Sequence, residues 1–353
     1  MNWNFIIFSA IKIAIVIGVV QGMVAYAVLA ERKISAWIQD RVGPNRTAPP
    51  FFKAIPVVGP ALIRMGLFQP LADGLKFMLK EDFTPAGVRK VYFWLAPAIA
   101  VIPSMLVVAV IPFGSQLGHQ QMVISDLNVG ILYTFGIVSL GVYGIVLAGY
   151  AANSKYPFLG GIRSSAQMIS YEISMGMSVI PVLLIVGSLN LSHIIGWQAS
   201  HGWMAFYAPV SFIIFLVASF AETNRLPFDL PEAETELVGG YHTEYSSMKF
   251  AMFFMAEYAN MITVGCVATL LFLGGWTSFY GKLMDPPENI FVHALLPIFW
   301  FVLKVFCFLF LYVWVRGTLP RFRYDQLMSF GWRWLMPLAI LNIVATSLWL
   351  ACR

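Results

Sequence analysis

The feature that most constrains this chain is a series of long apolar runs that carry almost no charge. Several runs reach the roughly 20 residues that a helix needs to cross a bilayer. They are continuous rather than alternating, which favours helices over the strands of a membrane barrel. A mean hydropathy of +0.77 and a charged fraction of 11% exclude an ordinary soluble domain. The sequence therefore predicts an all-α integral membrane protein.

The apolar runs predict about eight transmembrane helices in one polytopic membrane domain, residues 1–353. The expected spans are 5–30, 91–113, 127–151, 166–188, 203–221, 249–274, 291–315 and 332–351. Two of the connecting loops are long enough to carry functional groups. The first, 31–90, contains amphipathic segments, and the second, 222–248, is acidic.

Lysine and arginine residues are distributed very unevenly among these loops. Most of the 22 basic residues fall in alternate loops, and the loops between them contain only Lys282. Basic loops stay in the cytoplasm. We therefore expect a protein of the bacterial cytoplasmic membrane, with both termini on the outer side and the acidic loop on the cytoplasmic side. The net charge of +5 is thus a signal of topology, and it does not indicate nucleic-acid binding.

Carboxylates are concentrated in one part of the chain, with seven of the 17 between residues 222 and 257. Glu257, and also Glu172, lie within predicted spans, where an ionised side chain without a partner costs roughly a few kcal/mol or more. Lys249 is the only basic residue close to Glu257 in sequence, so we expect Glu257 to be unpaired and often protonated. For each of these two glutamates, two roles remain open: a proton carrier, or a packing residue held by hydrogen bonds.

The acidic loop has an unusual composition for a solvated segment. Its stretch "LPFDLPEAE" combines acids with prolines and Phe228, which favours a packed loop whose acids line a cavity. On a helix, Glu232 and Glu236 would share a face, and clustered like charges titrate as a group. A solvated acidic loop remains the alternative. In the loop 31–90, "LFQPLADGLKFMLKED" is amphipathic and contains Asp73 and Lys76.

Other kinds of site are poorly supported by the sequence. The three cysteines are far apart and the five histidines are scattered, so neither zinc nor iron–sulfur spacing is present. No glycine-rich nucleotide-binding motif occurs. We therefore expect no flavin, iron–sulfur cluster or metal to be bound by this chain.

Five long motifs resemble the H subunit of NADH:quinone oxidoreductase, respiratory complex I, the family of mitochondrial NADH dehydrogenase subunit 1. The stretch 221–258, "AETNRLPFDLPEAETELVGGYHTEYSSMKFAMFFMAEY", carries most of the likeness. The others are "AERKISAWIQDRVGPNR", "FQPLADGLKFMLKED", "NSKYPFLGGIRSSAQMISYEI" and "VRGTLPRFRYDQLMSFGW". Their order and length make the resemblance specific over nearly the whole chain.

The resemblance implies a proton-pumping membrane-arm subunit at the junction with the peripheral arm, without a complete active site of its own. It implies ubiquinone or menaquinone as substrate. The implied partners are membrane lipids, the peripheral-arm subunits with the terminal iron–sulfur cluster and the quinone site, and small membrane subunits that lead to antiporter-like subunits. Matched by motif, the implied proton relay comprises Glu172, Glu222, Asp229, Glu232, Glu234, Glu236, Glu244 and Glu257, and the implied quinone chamber comprises Arg32, Arg41, Asp73, Lys76, Arg225 and Phe228.

One segment departs from the family pattern. The family usually passes from "GPNR" to "QPLAD" within a few residues, but here 22 residues separate Arg46 from Gln69. Two other functions remain open: the homologous subunit of a membrane-bound hydrogenase-type complex, and a stand-alone ion-coupled transporter. Transporters tend to contain internal repeats, and the acidic loop is not repeated in this chain.

Overall fold

The computed structural model describes residues 3–49, 58–117, 120–230, 234–278 and 290–352. Within these ranges the regular secondary structure is helical, apart from one antiparallel pair of two-residue strands, β1 and β2, in which Gln116 lies opposite Gln121. The helices are α1 (Trp3–Ile38), α2 (Val58–Met65), α3 (Gln69–Leu79), α4 (Lys90–Val107), α5 (Gly130–Ala151), α6 (Lys155–Val186), α7 (Leu191–His201), α8 (Met204–Tyr207), α9 (Pro209–Glu222), α10 (Glu234–Leu237), α11 (Ser247–Phe272), α12 (Ile290–Thr318), α13 (Tyr324–Phe330) and α14 (Met336–Ala351); β1 is Gln116–Leu117 and β2 is Gln120–Gln121.

The all-α membrane fold expected from the sequence is confirmed. In the described part of the chain, seven helical segments are long and apolar enough to span a membrane. They correspond to α1, α4, α5, α6, α11, α12 and the continuous α13–α14 pair, which a π-helical turn joins. The remaining predicted span, 203–221, contains the short helix α8 and the 14-residue helix α9.

Two helices extend beyond their predicted boundaries. Residues 31–38 belong to α1 instead of the following loop, and α6 begins at Lys155, well before the predicted position 166. The early turns of α6 include polar residues such as Ser164, which is fully buried and accepts a hydrogen bond from Asn224. Tertiary contacts therefore extend the helix through sequence that is too polar to be recognised as a span.

Helix α11 forms the centre of the bundle. From Met261 to Phe272 every residue is buried, and the helix packs against α1, α4 and α12. Helices α4 and α5 approach closely because Gly144 faces the backbone of Ala100, where a Cβ atom would lie 2.7 Å from the amide nitrogen. Large apolar side chains such as Leu132 and Leu341 remain 65% exposed on the periphery, as expected for lipid-facing surfaces.

The connecting segments meet at two opposite ends of the bundle. At one end, here called the charged end, α4 begins beside the last residue of α5, with the Arg89 amide donating to the Ala151 carbonyl. At the other end, the Lys304 ammonium donates to three backbone carbonyls that follow α11, those of Leu273, Gly275 and Thr277.

Candidate functional site

The segment that follows α9 is held in place by one buried side chain of α6. The Gln167 amide nitrogen donates to the carbonyls of Ala221 and Phe228 at 2.8 and 2.7 Å, and to Asn224 Oδ1 at 3.2 Å. Asn224 adopts a positive φ of 51° that a short polar side chain tolerates. These bonds fold residues 221–228 into a compact turn against α6. The acidic loop therefore begins as a packed segment, as its composition predicts.

Arg225 lies at the centre of a buried charged network, here called the Arg225 network. Its Nε is 2.8 Å from Glu257 Oε1, and its Nη1 is 3.3 Å from Glu31 Oε2. Glu31 also pairs with Arg316 and accepts a 2.7 Å hydrogen bond from the Tyr258 hydroxyl. The charges of two carboxylates and two guanidinium groups thus balance. The hydrogen bond from Tyr258 helps to offset the free-energy cost of removing these charges from water.

This network corrects one expectation for Glu257. The sequence expectation that Glu257 lacks a basic partner is wrong, because Arg225 lies within salt-bridge distance. Arg225 also sits over the Tyr258 ring, with its Cζ 4.4 Å from the ring centroid. Arg225 thus binds the carboxylates of Glu257 and Glu31 at the same time.

A small cavity connects Glu257 with Glu222. Its volume is about 30 Å³, and both glutamates line it together with Asn224, Asn260 and Tyr241. Glu222 is 1% exposed, and neither of its carboxylate oxygens has a hydrogen-bond partner within the described residues. A cavity of this size and polarity accommodates about two water molecules. The two acids therefore border one space that is large enough to hold water.

Glu172 lies on the outer side of the same region. It is the one charged residue lining a groove of about 520 Å³, whose other lining residues, among them Phe135 and Met177, are apolar. Of the predicted relay residues, Glu257 and Glu222 therefore share one cavity, whereas Glu172 lines a separate groove.

Phe228 and Asp229 anchor the acidic loop to the segment that follows α12. Phe228 stacks on Phe322 at 5.6 Å between ring centroids and also contacts Tyr171. Asp229 Oδ2 is 3.0 Å from Arg321 Nη2. Both contacts fix the loop beside the Arg225 network.

The predicted quinone-side residues of the first loop divide into two groups. Arg32 and Asp73 form an ion pair at 2.7 Å, which ties α3 to the residue after Glu31. The side chains of Arg41 and Lys76 are exposed and do not take part in this pair. The structure therefore pairs Arg32 with Asp73 next to Glu31 in the chain, whereas Arg41 and Lys76 remain exposed.

The remaining predicted acids lie outside the buried network. Glu236 is exposed and pairs with Arg163 at 2.7 Å. Glu244 is partly exposed and makes no ion pair with the described residues. Glu234 begins α10, and Glu232 lies outside the described residues. Burial raises the pKa of Tyr245, in the same loop, so its hydroxyl stays protonated at neutral pH.

Sequence reasoning missed Glu31 and Arg316 in the network, and it missed Arg321 beside the network as the partner of Asp229. Each of the three lies in a motif that carries the family likeness. A carboxylate at the end of a long apolar run, as in Glu31, was the available signal. Arg225 and Glu31 are 194 residues apart, so their contact is not readable from spacing.

An apolar cavity of about 180 Å³ lies next to the Arg225 network. Helices α1, α11 and α12 form it, with lining residues that include Ala30, Ile34 and Met261. Glu31 directly follows Ala30, so the charged network stands at the edge of this apolar space. Among the described residues, no group of three histidine, cysteine or acidic side chains is arranged to hold a metal ion.

Comparisons with known proteins identify the family of this chain. The NADH dehydrogenase family model matches residues 11–347. The chain is 49% identical to the second NADH-quinone oxidoreductase H subunit of Koribacter versatilis, over 99% of this chain and 98% of the relative. It is 50% identical to the second NADH-quinone oxidoreductase H subunit of Geobacter sulfurreducens, over 95% of this chain and 94% of the relative. The chain is therefore a multi-pass membrane protein that belongs to the NADH dehydrogenase family, in the group of NADH-quinone oxidoreductase H subunits.

Proposed function

We propose that this chain couples quinone reduction to proton movement as the membrane-arm subunit of a proton-translocating NADH:quinone oxidoreductase. It helps to form the quinone chamber where the membrane arm meets the peripheral arm, and it passes the charge change towards neighbouring membrane subunits. The charged end faces the cytoplasm, and both termini face outward. The substrate is a membrane quinone, either ubiquinone or menaquinone.

The apolar cavity between α1, α11 and α12 supports the quinone part of this proposal. Its volume of about 180 Å³ suits part of a hydrophobic substrate, and its lining is almost entirely aliphatic and aromatic. The Arg225 network at its edge supplies charges that respond when a quinone headgroup is reduced. The Arg32–Asp73 pair and Phe228 stand on the same side of the network.

The sharing of Arg225 by two buried carboxylates supports the part of the proposal that concerns proton movement. Reduction of a quinone to quinol takes up two protons, and this changes the charge balance beside Arg225. Glu257 shares Arg225 with Glu31, so a change at either carboxylate alters the interaction of the other. Because the surroundings are largely apolar, such interactions are screened less than in water.

The observation that carries the proposal is the cavity shared by Glu222 and Glu257. Glu222 is buried and its oxygens have no hydrogen-bond partner among the described residues, which is costly unless the group serves as a proton carrier or binds water. From Glu222 the relay continues to Glu172, which opens on the outer groove. In this proposal, protons move laterally from the quinone side through Glu257, Glu222 and Glu172 towards a neighbouring subunit.

The test is Glu222→Gln in the assembled complex, reconstituted in proteoliposomes. Glutamine keeps the size of the side chain but cannot carry a proton. We expect quinone-dependent turnover and proton translocation to fall together, by roughly tenfold or more. Oxidation of NADH by an artificial acceptor should not change, because it does not involve this chain's acids.

Asp325→Asn is the matched control. Asp325 is an exposed carboxylate whose side chain is 68% accessible and pairs with Arg323, so its neutralisation should leave turnover and pumping intact. An assembled Glu222→Gln complex with full turnover and full pumping would overturn the relay.

A further inference from the structure

Lys249 makes an unusual set of contacts near the start of α11. Its side chain is 9% exposed, and the ammonium lies 3.1 Å from both Asp82 Oδ2 and Thr84 Oγ1. It also lies 4.0 Å from the centroid of the Trp94 ring. A buried ammonium with a carboxylate, a hydroxyl and an aromatic face is well satisfied. These contacts join α11 to the segment between α3 and α4.

Two serines beside Lys249 bind the same segment. Ser247 Oγ donates to the carbonyls of Phe77 and Lys80, each at 2.9 Å, at the end of α3. Ser246 Oγ accepts a 3.0 Å hydrogen bond from the Phe83 amide. Residues 246–249 therefore form a polar clamp, here called the α3 clamp, that holds the C-terminal end of α3.

Helix α3 depends on such contacts for its position. None of its residues is fully buried, and Leu71, Leu75, Met78 and Leu79 are each more than half exposed. Apolar packing inside this chain is therefore too weak to fix the helix alone. The α3 clamp at one end and the Arg32–Asp73 pair at the other supply much of its attachment.

Both attachments of α3 connect it to helix α11, one directly and one through α1. Asp73 binds Arg32 on α1, and the preceding residue, Glu31, accepts a hydrogen bond from Tyr258 of α11. Lys249 lies on α11 too, about two turns before Glu257. Helices α1, α3 and α11 thus form a closed ring of polar contacts around the charged end.

We propose that Lys249 is a positioning residue for quinone reduction, which sets the placement of α3 and thereby of the Arg32–Asp73 pair. This proposal rests on the function proposed above, in which that pair borders the quinone chamber. Lys249 touches neither the chamber nor the relay. Its ammonium rests on Trp94 of α4 and binds Asp82 and Thr84, and it acts on α3 through the segment 80–84. Its loss displaces the quinone-side pair without removing any charge from the Arg225 network.

The experiment compares Lys249→Met with Lys249→Arg in the assembled complex, with a short-chain quinone as substrate. Methionine fills similar space but loses the charge, whereas arginine keeps the charge and the aromatic contact. We expect Lys249→Met to raise KM for quinone roughly five- to tenfold, with kcat within about twofold of the parent. Lys249→Arg should stay close to the parent, and artificial-acceptor activity should be unchanged in both.

A purely structural role would lower the yield of assembled complex and leave KM unchanged in the part that assembles. An unchanged KM in Lys249→Met, or equal impairment of both variants, overturns the proposal. Should Lys249→Met fail to assemble, Asp82→Asn tests the same contact from its more exposed side. We expect about a twofold rise in KM there, and an unchanged KM overturns the proposal.

The readouts separate this proposal from the relay. Glu222→Gln should lower kcat with little change in KM, whereas Lys249→Met should raise KM with little change in kcat. A normal Glu222→Gln complex combined with a raised KM in Lys249→Met refutes the relay and leaves the positioning role. The reverse pattern refutes the positioning role alone.

Discussion

At the scale of single residues, Arg225 binds two carboxylates from different helices at the same time. Glu31 comes from α1 and Glu257 from α11, and Arg225 itself follows α9. Arg225 and Glu31 are almost fully buried, and Glu257 is 13% exposed, so little water is present to replace a lost partner. Removing one member of such a network leaves a charge without compensation, which costs about 3–5 kcal/mol in buried pairs.

The first prediction at this scale concerns Glu257→Gln. Glutamine still accepts a hydrogen bond from Arg225, but two guanidinium groups then face only the carboxylate of Glu31. We expect the thermal stability of the assembled complex to fall, with a cost towards the lower end of about 3–5 kcal/mol. We also expect quinone reductase activity to fall roughly tenfold or more, because the side chain no longer titrates. Thermal inactivation and quinone-dependent turnover measure the two effects.

Glu257→Asp is the control for that substitution. Aspartate keeps the charge and the titration but shortens the reach to Arg225 Nε, so both effects should be smaller than with glutamine. If Glu257→Gln matched the parent in stability and in turnover, Glu257 would be only a packing residue, and the network would not contribute to coupling.

At the scale of helices, close contact between α4 and α5 positions one wall of the cavity that Glu222 and Glu257 share. Ala100 of α4 and Gly141 of α5 both line this cavity. The helices meet where Gly144 faces the backbone of Ala100, and no larger residue fits there without movement. Small residues commonly permit such approaches between membrane helices.

A matched pair of glycine substitutions in α5 tests this packing. A Cβ atom at Gly144 would lie 2.7 Å from the Ala100 nitrogen, so Gly144→Ala should destabilise the complex by about 1–3 kcal/mol. Gly136 has no atom within 4 Å of the same position, so Gly136→Ala should be neutral or stabilise by up to roughly 1 kcal/mol. Midpoints of thermal inactivation compare the two, and equal midpoints would contradict this account of the packing.

Helix positions also show what could be predicted from the sequence. The apolar runs determine the spans because a backbone in hydrocarbon must satisfy its own hydrogen bonds, and each predicted span contains a helix. The start of α6 was not predictable, because residues such as Ser164 are polar and become buried only beside the turn at 221–228. The Glu257–Arg225 pair was missed for a similar reason, since a loop folds back to form it.

At the scale of the whole molecule, the charged and the apolar parts of the bundle are separated. The Arg225 network, the acidic loop and α3 occupy the charged end, whereas the middle of α11 is surrounded by apolar side chains. The opposite end is held by Lys304 and Gln198, which bind the carbonyls at and after the end of α11. Apolar packing around α11 therefore separates Glu222 and Glu257 from the opposite end.

The most direct test of the central claim measures the protonation of Glu222 during quinone reduction. Infrared difference spectra of the assembled complex, recorded before and after quinone reduction, report changes in protonated carboxyl groups. We predict that the parent complex shows a change in the carboxyl C=O stretch that is absent in Glu222→Gln, while reduction of the complex by NADH proceeds equally in both. Identical carboxyl signals in the parent and in Glu222→Gln would contradict a proton relay through Glu222.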